Sequence, residues 1–352
     1  MNSTSSDARQ MALEALEAVV GGGKHLRDAL DAATFQCADA RERALARELG
    51  FGVIRWTQRL SALRRLLVPR KPKPLRLDLI LQLGLYQLEY TRIPAHAAVS
   101  ATVDLTRRNR LQHARGMVNA TLRRYQRERQ HLLDSLDRSA PARHAHPQWW
   151  LDRLASDWPD RWQAVAAANN ARAPLTLRVN QRRVSRAEYL DRLEAAGIGA
   201  GACAFAPCGV NLTQTADPTS LPGFADGLVS VQDGAGQLIT QLLTAKPGLR
   251  VLDACAAPGG KATALLEHFP GLELHAIDND AARVDRLRGN LARLGLSARI
   301  DVADAARPED WWDRRAYDVI VLDVPCTASG IVRRHPDIRL ARGPGDIDRN
   351  AT

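Results

Sequence analysis

Lysine is scarce in this chain of 352 residues: of 49 basic side chains only Lys24, Lys71, Lys73, Lys246 and Lys261 are lysines. Cysteine is sparse too. Cys37, Cys203, Cys208, Cys255 and Cys326 are scattered without zinc-type spacing, so no metal is expected. Their odd number and the absence of a signal peptide point to reduced thiols in a cytoplasmic protein. No apolar run approaches the ~20 residues that span a bilayer, which excludes a membrane partner of that kind. What is abundant is arginine. It carries nearly all of a net charge of +10, which suits a polyanionic partner or a solvated basic face. The length allows two or three domains, each with its own core.

The most informative stretch is Val251 to Lys261, Val-Leu-Asp-Ala-Cys-Ala-Ala-Pro-Gly-Gly-Lys. A short apolar strand leads into it from Gly248, and a good helix former, Ala262 to Glu267, leaves it. Backbone N–H groups of such a loop, with the positive end of the helix behind them, suit a carboxylate or a phosphate. The glycines do not follow the dinucleotide pattern G-x-G-x-x-G. Leu274 to Asp278, Arg299 to Asp304 and Tyr317 to Asp323 read as three further strands, each ending in an acid. An acid where Asp278 stands accepts hydrogen bonds from ribose hydroxyls in doubly wound sheets. The apolar run Val319 to Leu322 fits a central parallel strand covered on both faces. Between the strands lie helical stretches such as Ala281 to Leu294, where Val284, Leu287, Leu291 and Leu294 share a face.

Before this domain the pattern is helical. After a loose polar start over residues 1–6, Asp7 can cap a helix that Gly21-Gly22-Gly23 stops. A longer helix runs from about Asp39 to Val68, with a break expected near Gly50 and Gly52. Leucines then recur from Leu77 to Leu88, and a last helix spans about Ala114 to Leu133. Residues 136–147 read as a linker. Trp149, Trp150, Trp158 and Trp162 follow; they can stack on bases, though packing against a neighbouring domain is the favoured reading. A small α/β region covers 148–228. Val229 to Asp233 opens the last domain, whose first helix begins at Gly234.

The segment Asp253-Ala-Cys-Ala-Ala-Pro-Gly-Gly-Lys261, with Asp278, Asp304 and Asp323-Val-Pro-Cys-Thr-Ala-Ser-Gly330, resembles the S-adenosylmethionine-dependent RNA cytosine-carbon-5 methyltransferases. Arg333-Arg-His-Pro-Asp337 resembles the bacterial branch that acts on small-subunit ribosomal RNA, the Sun/RsmB type. Ile93 to Val99 and Gly116 to Arg124 look like the NusB-type RNA-binding domain at the front of that branch. The resemblance implies a multidomain chain: an all-α NusB-like bundle over 1–135, the linker, a small α/β middle domain over 148–228, and a Rossmann-like methyltransferase domain over 229–352. By resemblance, Cys255, Ala256, Ala257, Pro258, Gly259, Gly260 and Lys261 hold the methionine end of S-adenosylmethionine. Asp278 takes its ribose, Asp304 lies by its adenine, and Asp323 meets both the cofactor and the cytosine. Cys326 assists product release. The partner is 16S ribosomal RNA, and a monomer is expected.

Carbon-5 of cytosine becomes nucleophilic once a thiolate adds at carbon-6, which is covalent catalysis by cysteine. In the family the attacking cysteine lies in a Thr-Cys-Ser motif, and no such tripeptide occurs in this chain. With four strands visible of a seven-strand sheet, the chain reads as truncated at its C-terminus. Two rivals follow: an inactive RNA-binding protein of the same lineage, and attack by Cys326 itself.

Overall fold

A computed structural model describes residues 7–214, 216–244 and 246–351. The polar start at 1–6 lies outside them. The chain divides into two compact units, residues up to 172 together with those from 326 onward, and residues 173–325.

The first unit is helical. It begins with α1 (Ala8–Val20), α2 (Leu26–Thr34), α3 (Ala40–Arg55), α4 (Thr57–Leu67) and α5 (Leu75–Tyr90). It continues with α6 (Ala95–Arg108), α7 (Arg115–Leu136), α8 (Ala140–His144), α9 (Gln148–Asp157) and α10 (Trp162–Asn170). Asp7 caps α1 through the Arg9 N–H, and Asp39 caps α3 through Arg41 and Glu42, which fixes where both helices start. One core joins Leu13, Leu16, Leu30, Leu49, Ile54, Leu79, Leu83, Leu122 and Tyr125. Helix α5 is buried almost all round, as its leucine density predicts.

The expected break near Gly50 and Gly52 falls instead at Trp56, between α3 and α4. Both glycines sit inside α3 because neighbours press on them. A Cβ on Gly52 would lie 1.9 Å from the Tyr86 ring, and one on Gly50 would lie 2.8 Å from Leu30. The stretch read as a linker holds α8.

The second unit has two sheets. The antiparallel one has the order β2-β3-β1-β4, built from β1 (Leu175–Val179), β2 (Ala200–Ala202), β3 (Gly209–Leu212) and β4 (Val229–Val231). Helix α11 (Arg186–Ala195) opens with a capping box between Ser185 and Glu188. After the short α12 (Gly234–Gln237) and α13 (Ile239–Leu242) comes the parallel sheet. Its strands are β5 (Arg250–Asp253), β6 (Glu273–Asp278), β7 (Arg299–Val302) and β8 (Val319–Val321), in the order β7-β6-β5-β8. Helices α14 (Gly260–His268) and α15 (Ala281–Leu294) make the crossovers after β5 and β6. Leu265, Leu266, Leu274, Leu287 and Leu291 pack with the sheet.

The expectation of a central, doubly covered strand at Val319 to Leu322 is not met. β8 pairs with β5 alone among the described strands, and Ile320, Leu322 and Val324 are exposed. A continuous apolar run states that both faces tolerate burial; it does not state which neighbours cover them.

The C-terminal segment returns to the helical unit with α16 (Ile338–Ala341) and α17 (Asp346–Ala351). Among the described residues no helix is long and apolar enough to cross a membrane, and no cluster of side chains is arranged to hold a metal ion.

Candidate functional site

The parallel sheet runs outward from β5 in both directions, first through β6 and β7 and then, after a reversal, to β8. That reversal opens a crevice beyond the C-terminal ends of β5 and β8, the usual ligand position in open α/β sheets. All four predicted acids stand at this edge. Asp253 ends β5 and Asp278 ends β6, while Asp304 and Asp323 lie two residues past β7 and β8.

The loop from Cys255 to Lys261 crosses the edge and is tied down through its carbonyls. Arg283 binds the Ala257 carbonyl, Asn290 donates to that of Pro258 at 2.9 Å, and Thr263 Oγ1 donates to that of Gly259 at 2.6 Å. The Ala257–Pro258 bond is cis. Gly259 takes φ +103°, a conformation that strains any other residue, and a Cβ there would meet Leu287 at 2.6 Å. Ala256 and Ala257 are buried, Cys255, Gly260 and Lys261 are half-buried, and Pro258 is exposed.

The loop leads directly into α14. No side chain caps this helix, whose N-cap is Gly259 itself. An uncapped N-terminus presents several orphan donors and partial positive charge. It could hold an anionic group.

Asp278 is brought against the loop. Its Oδ2 accepts from the Ala257 N–H at 3.1 Å, and its Oδ1 accepts from the Asp280 N–H at 3.1 Å. Arg283 lies 3.5 Å away. Asp253 is 1% exposed, and neither carboxylate oxygen has a hydrogen-bond partner. Burial pushes its carboxyl up to about 6, against the pull of the Cys255 N–H and Lys261. That N–H is near enough to act on the charge but falls outside hydrogen-bond geometry. Lys261 forms a close ion pair with Asp323, whose side chain is 60% exposed. Asp304 is exposed, and its Oδ1 accepts from the Ala306 N–H at 3.0 Å.

The thiols differ. Burial, then the charge of Asp278, raise the Cys255 thiol above its ordinary value, so Cys255 is a poor thiolate at neutral pH. Cys326 is exposed, and its sulfur accepts from the Ala328 N–H at 3.3 Å. The chain passes between the two units at Pro325–Cys326, so Cys326 belongs to the helical unit.

The residue patterns did not single out Arg178. It is 3% exposed on β1 and binds both oxygens of Glu267 at 2.8 and 2.9 Å, Thr263 at 2.9 Å and the Gly260 carbonyl at 2.7 Å. Gln232 joins it, accepting from Arg178 at 2.6 Å and donating to Gly260 at 3.1 Å. This network sets the first turn of α14 beneath the loop. An arginine inside the alternating run Leu-Thr-Leu-Arg-Val was the one available signal.

A parallel sheet with a tied loop, an uncapped helix and acids at its switch point is the architecture of a Rossmann-like methyltransferase. Three family descriptions match the sequence: NusB family over residues 6–127, the ferredoxin-like domain of RsmF/B-like methyltransferases over 146–219, and 16S rRNA methyltransferase RsmB/F over 240–352. Ribosomal RNA small subunit methyltransferase B of Pseudomonas putida is 46% identical over 347 residues, 98% of this chain and 79% of that protein. Its counterpart in Vibrio cholerae is 42% identical over 343 residues, 97% of this chain and 79% of that one. Among solved structures, a methyltransferase homolog from Pyrococcus horikoshii superposes with a TM-score of 0.51 at 30% identity, over 61% of this chain and 67% of its own. The structure of PH0851 gives 0.74 at 19% identity over 97% and 80%, a likeness of fold. The chain belongs to the 16S rRNA methyltransferase RsmB/F family, S-adenosylmethionine-dependent enzymes with a NusB-like helical domain in front. These alignments do not support the truncation expected from the residues.

Proposed function

We propose that this protein serves methylation of carbon-5 of a cytosine in 16S ribosomal RNA, by way of a cysteine adduct, in the cytoplasm and as a monomer. The observation that carries the reading is the uncapped start of α14 beside Asp278 at the sheet's switch point. These residues fit S-adenosylmethionine. The N–H groups that open α14 would take its carboxylate. Asp278 Oδ2 accepts the Ala257 N–H, and Oδ1 accepts the Asp280 N–H together with a long 3.5 Å bond from Arg283, so Oδ2 keeps an acceptor for a ribose hydroxyl. Asp253 adds two buried oxygens without donors. Asp304 would border the adenine. When bound, the cofactor supplies the methyl group.

The remaining roles fall to the chain's own residues. Asp323 would hold the cytosine through a shared proton, oriented by its pair with Lys261. Cys326, exposed on its turn, would assist release of the product. The target base has to leave its stack to reach either group. We propose that the attacking thiolate is none of the five cysteines: Cys255 is held protonated, and none lies in Thr-Cys-Ser. The domain plan of 1–135, 136–147, 148–228 and 229–352 is part of the same proposal.

The test is transfer of labelled methyl to an unmodified 16S fragment, with denaturing gels for a protein–RNA adduct. The 352-residue chain should transfer none. The Pseudomonas putida relative, run beside it as the positive control, should transfer label. Turnover by the 352-residue chain, lost in Cys326→Ala without adduct, would make Cys326 the nucleophile.

A further inference from the structure

We propose that the helical unit carries a nucleobase pocket that seats one nucleotide of the RNA. The inference rests on the RNA reading above and adds a site to it. A cavity of about 170 Å³ lies between α9 and the C-terminal segment. That is well below the ~300–1,000 Å³ of pockets for larger ligands, and suits one planar ring system. Trp149, Trp150 and Trp158 line it, with Arg153, Arg342, Asp157 and Asp346.

The three rings stand in different states. Trp150 is 4% exposed and packs edge-on against His146, with centroids 6.0 Å apart. Trp149 leans on Trp150 at 5.2 Å and 39°. Trp158 is 56% exposed. An indole left mostly in water beside an open cavity is an unused stacking face, and base–aromatic stacking is worth ~1–3 kcal/mol per base.

Arg153 pairs with Asp157 at 2.8 Å, and both side chains are largely exposed, so the pair exchanges readily. Arg342 donates to the Thr327 carbonyl at 3.2 Å and has no ion-pair partner among the described residues. Asp157 and Asp346 line the slot as well, so its rim carries two cations and two carboxylates, and the exposed indole rather than net charge is what suits it to a base.

The wall opposite α9 is held firmly. Arg339, 2% exposed, donates to the carbonyls of Arg55 at 2.9 Å, Ala145 at 2.8 Å and Asn169 at 3.1 Å. Asp337 accepts from the Leu26 N–H at 3.2 Å. These bonds fasten the helix just ahead of Arg342 and Gly343, which line the slot.

The test is titration of the full chain with a fluorescent single-stranded oligoribonucleotide of 16S sequence, and with a series in which one position at a time is abasic. In the wild type one abasic position should weaken binding by about 5- to 100-fold. Trp158→Ala should weaken the intact oligonucleotide by a similar factor and abolish the effect of that abasic site, while Trp158→Phe keeps most of the affinity. Trp158 is exposed, so the variant should melt as the wild type does and bind S-adenosylhomocysteine equally. Equal abasic profiles for wild type and Trp158→Ala would overturn the pocket, leaving the tryptophans as a packing face for protein, while RNA binding itself stood. No binding of any oligoribonucleotide would overturn the RNA reading and the pocket with it.

Discussion

Asp253 has the most consequential protonation in the site. An ordinary aspartate loses its proton near 3.9, whereas burial holds this one to about 6. Between those values the folded chain keeps a proton that the unfolded chain has lost. Stability from this group therefore falls as pH rises through about 4 to 6, and the full penalty, on the order of 2–3 kcal/mol, is present above that. Asp253→Asn has no such titration. Its stability relative to wild type should improve by roughly that amount between pH 4 and pH 7 in urea unfolding. A difference that stays constant with pH would mean that Asp253 is not held protonated. The local motif around Asp253 was legible because strand, small-residue loop and helix follow one another directly in the chain. Arg178 was not, because its partners on α14 are 82–89 positions away.

At the scale of elements, the C-terminal segment is fastened by charges set against helix ends. The Arg339 guanidinium meets the C-terminal ends of α3, α8 and α10, where carbonyls lack intrahelical partners and the helix dipoles are negative. Burial lowers the Arg339 pKa to about 9, which still leaves the cation intact at neutral pH. Asp337 does the converse at the first N–H of α2. Arg339→Met would leave three inward-facing carbonyls without a donor. At ~1–3 kcal/mol for an unsatisfied buried group, the helical unit should lose about 3 kcal/mol or more. Denaturant unfolding followed by circular dichroism at 222 nm would measure it, and a loss under 1 kcal/mol would show that the clamp contributes little. The sequence exhibits Arg333 to Arg339 as a charged run. That it joins residues 284 positions apart is visible only in the fold. Helix starts were legible at Asp7 and Asp39, whose caps are local. The roles of Gly50 and Gly52 were not, because Leu30 and Tyr86 decide them from other helices.

Across the whole molecule, a basic helical unit and a sheet with an uncapped, acid-flanked switch point belong to one chain. The helical, α/β and parallel-sheet order was legible, since periodicity and strand–helix alternation are chain-wide signals. The edge position of β8 was not, because an apolar run is silent about its neighbours. The central claim is that the parallel sheet holds S-adenosylmethionine between the start of α14 and Asp278. Isothermal calorimetry with S-adenosylhomocysteine on the full chain and on Asp278→Ala tests it most directly. Hydrogen bonds to a charged acceptor contribute ~1.5–3 kcal/mol, so the variant should bind about 10- to 100-fold more weakly while its melting stays cooperative. Equal affinity for the two proteins, or no heat of binding from the wild type, would contradict the account.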